Sequence, residues 1–396
     1  MPERLSSRTK IEIALFTVIR TAINSGYRMI YPLLPMFATG MGVQLSDLSI
    51  AFSIRSIQGV FSPFIAALAD ARGRKNGMLL GMALFFLGCG ITAVWQDFTS
   101  FVVGTAVLSI GNGIFIPSMQ SYLSDHVPYE RRGTVLSITE LSWSLGFILG
   151  VPLLGSLLVN HNWVAPYFAL TITGLILLIA LWKIVPSETP DRAQAQPLLQ
   201  NLHKSLSYFP VLAGAAVGVL FTGANEMINL VFAVWIKDSF GLEFATMAIA
   251  SIVIGSSELV SELLSAFVLD KIGKQRAIII SLILNSLSAI LLPLAVHSLT
   301  LALLGLALFY ITFEFALISL MTNMSEVFPS ARATVMAVTI STFSLGRLIG
   351  SLFGTDLYQI SFWAVCLATV ALNSLALIFV RHIRIELQSV PTKQLK

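Results

Sequence analysis

Charge is what this chain has least of. Only 11% of its 396 residues are Asp, Glu, Lys or Arg, while 56% are hydrophobic, and the mean hydropathy is +0.84. A soluble domain carries about 25% charge, so a water-soluble globule is excluded. Cysteine is nearly absent. Cys89 and Cys366 both sit inside apolar runs, outside any C-x-x-C, and provide no disulfide framework. His126, His161, His203, His297 and His382 fall in loops or at the ends of apolar runs. They lack the spacing of metal ligands, and no metal is expected. There is no P-loop, so ATP drive is not encoded in this chain. There is no G-x-S-x-G or H-E-x-x-H, so neither an enzyme nor a bound cofactor is expected. The net charge of +4 comes from basic residues distributed along loops rather than gathered in a patch, which argues against nucleic acid as a partner.

What is present is apolar length. Runs of about 20 apolar residues mark transmembrane helices. Twelve can be placed: about 11–33, 46–69, 77–95, 99–122, 134–158 and 163–182, then 208–236, 244–269, 277–296, 300–322, 334–355 and 361–380. The expected fold is therefore an all-α, twelve-helix integral membrane bundle. The basic start, Met1–Lys10, precedes an apolar run, but no small-residue cleavage site follows, and Arg20 and Arg28 interrupt the run. An uncleaved first helix is expected. Of the 24 Lys and Arg, four lie within spans, 19 lie on one side of the bundle, and only Lys237 lies on the other. The positive-inside rule then places both termini in the cytoplasm, in a plasma or inner membrane.

The chain repeats itself. Ala66 to Lys75 reads AALADARGRK, and 200 positions later Leu269 to Arg276 reads LDKIGKQR. Asp70 matches Asp270, Gly73 matches Gly273, and Arg74 matches Lys274. Arg132–Gly150 and Arg332–Gly350 are identical at eight of 19 positions, at the same offset of 200. The expected organisation is an N-terminal six-helix half over 1–183, a linker over 184–207 and a C-terminal half over 208–396. Parallel halves of this kind suit a transporter that rocks one half against the other.

These residues resemble the major facilitator superfamily, whose signature between helices 2 and 3 is G-x-L-A-D-R-x-G-R-K. Leu68, Ala69, Asp70, Gly73, Arg74 and Lys75 match it; Ala66 and Ala71 replace its first Gly and first Arg. The stretch Gly146-Phe-Ile-Leu-Gly150-Val-Pro152-Leu-Leu-Gly155 is similar to the family's antiporter signature G-x-x-x-G-P-x-x-G-G, with Val151 inserted and Ser156 in place of the last Gly. The helix-four signature R-x-x-Q-G is replaced by Ser109-Ile-Gly-Asn112-Gly113, without its arginine. The resemblance implies secondary transport by alternating access. It also implies a cytoplasmic latch in which Asp70 meets the start of the eleventh span and Arg74 meets Asp125.

Charges inside the spans are the candidate pathway: Arg20, Arg28, Arg55 and Arg347 against Glu140, Glu226, Glu258, Glu262 and Glu314. An intramembrane charge costs at least about 2.5–3.5 kcal/mol on insertion scales, so these groups should pair or face an aqueous cavity. Arg20, Asn24 and Arg28 recur every four residues as one polar stripe; Asn225, Glu226 and Asn229 form a second. Glu258 and Glu262 share a helix face and are expected to share a proton. Arg28 and Glu226 are expected to face each other across the cavity. Tyr27, Tyr31, Trp143, Phe147, Phe232 and Trp235 lie near these groups, although most such aromatics only pack. The expected function is proton-coupled export of a small apolar or amphipathic compound by a monomer. Uptake of an organic anion or nutrient is the alternative, and a non-translocating ligand sensor is a third.

Overall fold

The computed structural model describes residues 6–61, 73–186, 205–241, 244–328 and 332–383. Asp70, the rest of 62–72 and most of the linker lie outside them. Among the described residues there is no β-strand. The helices are α1 (Ser7–Arg28), α2 (Leu34–Met41), α3 (Leu45–Val60), α4 (Arg74–Trp95), α5 (Phe98–His126), α6 (Tyr129–Glu140), α7 (Ser142–Leu145), α8 (Val151–Asn160) and α9 (Ala165–Ile184). They continue with α10 (Phe209–Phe240), α11 (Phe244–Ile272), α12 (Lys274–Leu291), α13 (Leu299–Val327), α14 (Arg332–Ile360) and α15 (Phe362–Val380). A π-helical turn, Gly146–Gly150, joins α7 to α8.

Among the described residues, ten helices are long and apolar enough to cross a membrane. The other two expected spans are α1 and α3. Glu12, Arg20 and Arg28 make α1 too charged to qualify by composition, although all three are buried. The described part of the second span ends at Phe61. Helix ends follow ordinary capping chemistry. The Ser6 hydroxyl accepts from the Thr9 N–H at 3.0 Å. The Asp97 carboxylate accepts from the Ser100 N–H at 2.6 Å, and that bond holds its carboxyl below the usual value.

Both repeated turns use glycine for the same reason. Gly73 and Gly273 take φ of 90° and 83° immediately before α4 and α12. A Cβ at Gly273 would touch nothing within 4 Å, so backbone strain alone opposes a side chain there. Gly273→Ala should lower stability by about 1–3 kcal/mol, read as a melting shift in detergent; an unchanged melt would contradict the strained turn.

Two ends of the bundle differ. At the end away from these turns, 29–35 and 230–236 are buried in one continuous apolar cluster, and α2 packs on α10. At the turn end, Ile340 is 43% exposed and the Glu140 side chain 45% exposed. Early and late helices meet along α3 and α14, where the Ser53 and Ser351 hydroxyls are 2.9 Å apart. They also meet where α11 crosses the π turn. Cys89 and Cys366 are fully buried in α4 and α15.

Candidate functional site

The stripe on α1 faces the chain that runs from α6 to the π turn. Arg20 donates to both carboxylate oxygens of Glu140, at 2.7 and 2.8 Å. Gln120 on α5 supports the same carboxylate at 3.2 Å. One turn on, Asn24 donates to the Ser142 hydroxyl at 3.2 Å. The spacing of four residues is what puts these groups in register.

Arg28, the next member, reaches across to α11. It donates to both oxygens of Glu258, at 2.8 and 2.5 Å, and to the Trp143 carbonyl at 2.8 Å. Its guanidinium lies over the Trp143 and Phe147 rings, 4.0 and 3.7 Å from their centroids. Side chains of both ion-pair partners are at most 5% exposed. The expected partnership of Arg28 with Glu226 is therefore corrected. A helix-to-helix correspondence fixes depth, but rotation about each axis selects the partner, and here it selects Glu258. The same pairing separates the roles of Glu258 and Glu262. The first is engaged by arginine, while the second has no hydrogen-bond or ion-pair partner among the described residues.

Glu226 belongs to a second buried chain. Arg55, 2% exposed, donates to the Tyr27 carbonyl at 2.8 Å and to the Tyr31 hydroxyl. The Tyr31 hydroxyl donates to Glu226 at 2.8 Å. Asn229 donates to the other oxygen of Glu226 at 3.4 Å, and Tyr310 donates to Asn229 at 2.6 Å. Arg55 is stacked on Tyr27, 3.9 Å from the ring centroid. An arginine and a glutamate thus neutralise one another through a tyrosine hydroxyl, on four helices or helix ends.

Below these networks lies a cavity of about 320 Å³. Arg20, Arg28, Glu140, Glu258, Glu262, Glu314 and Arg347 all line it. Glu262, Glu314 and Arg347 make no hydrogen bond or ion pair among the described residues, although Glu314 is only 8% exposed. Tyr310, Phe313, Phe343 and Met321 supply the apolar wall. Phe232 and Trp235 do not line it; Trp235 stacks on Phe362 at 4.4 Å near the closed end.

The turns carry matching ties. Arg74 pairs with Asp125 and donates to the Ser121 carbonyl at 2.6 Å. Lys274 pairs with Glu326 at 2.5 Å. Lys75 donates to the Trp182 carbonyl at 2.9 Å, and Gln275 donates to the Val380 carbonyl at 2.8 Å. Asp270 is exposed and has no such tie among the described residues.

The antiporter-like glycines are packing surfaces. A Cβ at Gly146 would meet Asn24 at 3.1 Å, one at Gly150 would overlap Ser25, and one at Gly155 would meet the Phe244 ring and Leu33. Pro152 follows the π-helical turn inside one continuous helical run, where its missing N–H leaves a gap in the hydrogen-bond ladder.

Some of these residues escape a reading of sequence alone. Glu326 stands 201 residues after Asp125, close to the repeat offset, and that spacing marks it. The Tyr31 hydroxyl has no such signal. Nor do Asn285 and Asn373, buried and joined at 2.8 Å in two spans that hold no charge. Among the described residues no group of His, Cys, Asp or Glu is placed to hold a metal ion.

Curated relatives point the same way as this geometry. The chain is 34% identical over 133 residues to the uncharacterized MFS-type transporter YwfA of Bacillus subtilis, covering 33% of this chain and 32% of that protein. It is 22% identical over 349 residues to the uncharacterized MFS-type transporter YceJ of the same organism, covering 88% and 89%. It is 28% identical over 283 residues to the multidrug resistance protein MdtG of Serratia proteamaculans, covering 66% of each. The chain thus spans about a third of the first and about two thirds of the last. The fold matches the crystal structure of a mutant of the nucleoside transporter NupG, with a TM-score of 0.79 at 14% identity, over 95% of this chain and 100% of that one. It also matches the D-xylose–proton symporter, with a TM-score of 0.76 at 16% identity, over 95% and 98%. The sequence profile of the Major Facilitator Superfamily matches residues 17–351 and 214–394. With apolar helices enough for many membrane crossings around a charged cavity, the chain belongs to the Major Facilitator Superfamily, as a multi-pass membrane transporter and not an enzyme.

Proposed function

We propose that this transporter exports a small amphipathic compound in exchange for protons. The observation that carries the reading is the contrast within one cavity. Arg20, Arg28 and Arg55 are matched to Glu140, Glu258 and Glu226, while Glu262 and Glu314 line the cavity without a partner among the described residues. A carboxylate that no arginine holds is free to take up and release a proton, and the turn-end opening gives it a route to water. Protonation and compound binding then compete for the same two acids, which couples one flux to the other. The halves 1–183 and 208–396, joined by 184–207, rock about the cavity, and Arg74–Asp125 with Lys274–Glu326 ties the turns on the cytoplasmic side. Both termini then lie in the cytoplasm of a cell whose inner or plasma membrane holds the monomer.

The exporter direction rests on the similarity of Gly146–Gly155 to the antiporter signature, in the stretch where α1 is seated against the π turn. One observation favours uptake of an organic anion instead: Arg347 lines the same cavity without a carboxylate partner among the described residues.

Proteoliposomes with imposed pH gradients separate the two. Under exchange, an acid lumen accelerates entry of a ring-bearing amphiphile and an alkaline lumen slows it. Co-transport reverses the signs, and a flux indifferent to the gradient excludes coupling. Glu262→Gln together with Glu314→Gln should reduce the gradient response by about tenfold or more, as expected when a positioned proton carrier is removed, and should also weaken binding of the compound that competes for the same acids.

A further inference from the structure

We infer that the transported compound is a zwitterion carrying an aromatic ring, one that presents an ammonium group to Glu314 or Glu262 and a carboxylate to Arg347. The inference rests on the reading of this cavity as the transport site, and it names the class of substrate.

It follows from counting charges that still need partners. Of the four arginines inside the spans, Arg20, Arg28 and Arg55 have acceptors within the protein. Of the six glutamates, Glu12, Glu140, Glu226 and Glu258 have donors. The remainder is one guanidinium on α14, one carboxylate on α11 and one on α13, all lining the same space. A ligand with only a positive charge leaves Arg347 unmatched in a partly dehydrated cavity, and a ligand with only a negative charge leaves two acids unmatched. Stranding a charge in such a place is costly, whereas a ligand carrying both signs matches Arg347 and one of the two acids, and the remaining acid is the one that carries the proton. Arginine also binds a carboxylate through two parallel N–H bonds, a geometry that favours this anion over a diffuse one.

Size and surface agree. About 320 Å³ holds one small molecule rather than a peptide chain or a lipid. Phe313 and Phe343 expose only 6% each and stand on α13 and α14, the helices that bear Glu314 and Arg347. Both line the cavity, and the apolar part of a ligand would rest against them.

Three molecules with one carbon skeleton test the idea. Phenylalanine carries both charges, phenethylamine lacks the carboxylate, and 3-phenylpropionate lacks the amine. Binding to the purified protein in nanodiscs is read from ligand-dependent melting. Phenylalanine should bind at least about tenfold tighter than either analogue, the gain expected from one added charged hydrogen bond. Arg347→Gln should bring phenylalanine down to the level of phenethylamine and leave phenethylamine unchanged. Arg347→Lys, which keeps the charge, should retain the preference, and its melt without ligand shows that the fold tolerates the site. Glu314→Gln, Glu262→Gln or the two combined should bring phenylalanine down to the level of 3-phenylpropionate. Equal binding of all three, no saturable binding by any, or indifference to Arg347→Gln overturns the inference. Proton-driven flux of a singly charged analogue would leave the exchange mechanism standing and remove only the zwitterion. Phenylalanine binding with this pattern but without flux would do the reverse.

Discussion

Arg28→Gln should abolish transport and lower stability by about 3–5 kcal/mol, because it leaves Glu258 buried without its counter-charge. Glu258→Gln should do the same from the other side, and there the stranded guanidinium keeps only the Trp143 carbonyl and two aromatic faces. The double variant Arg28→Gln with Glu258→Gln removes both charges. It should recover most of the lost stability and none of the transport. That separation distinguishes a pair that matters for the cycle from one that only holds helices together. Melting of the four proteins in detergent gives the coupling energy, and flux in proteoliposomes gives the function. A control pairs Arg28→Glu with Glu226→Arg, which should rescue nothing, since Glu226 answers to Tyr31 and Arg55. Rescue by that control, or additive losses in the first cycle, would refute the Arg28–Glu258 assignment.

The second large effect is expected at a residue with no side chain. Gly150→Ala places a methyl group inside the space of Ser25, with the Ser25 Cα only 3.3 Å away. Serine is too short to swing aside, so α1 must move. Overpacking of this kind costs about 1–3 kcal/mol. The functional loss should exceed that share, because α1 at this point carries Asn24 and Arg28, and Arg28 must reach α11 within hydrogen-bond tolerance. Transport by Gly150→Ala should therefore fall about tenfold or more, and Ser25→Gly in the same chain should restore part of it. Gly155→Ala meets an aromatic ring edge that can turn away, and should be milder. Equal effects at the two glycines would show that general helix propensity, not contact with α1, governs the site.

Much of the fold is legible in the sequence because bilayers enforce it. Apolar length locates the spans, and the offset of 200 residues identifies turns that prove alike in backbone, Gly73 with Gly273. The charged residues worth attention are equally visible, because few reasons exist to place Arg20 or Glu314 in an apolar run. What the sequence withholds is partnership. Arg28 has Glu226 and Glu258 within plausible depth, and helix rotation decides between them. Tyr31 hides because a tyrosine in an apolar run is usually packing, and only the approach of Arg55 makes its hydroxyl a relay. The leftover charges, Glu262, Glu314 and Arg347, become recognisable only after every other charge has found its partner.

The two buried thiols have a practical corollary. Cys89 and Cys366 are this chain's whole stock of cysteine, and neither presents surface in the conformation with its turn end open. Maleimides and methanethiosulfonates therefore find no native target. A single cysteine introduced along the cavity or at the closed end becomes a reporter on an already silent background. The opening and closing of either end can be followed in the natural sequence, without first rebuilding the packing around α4 and α15.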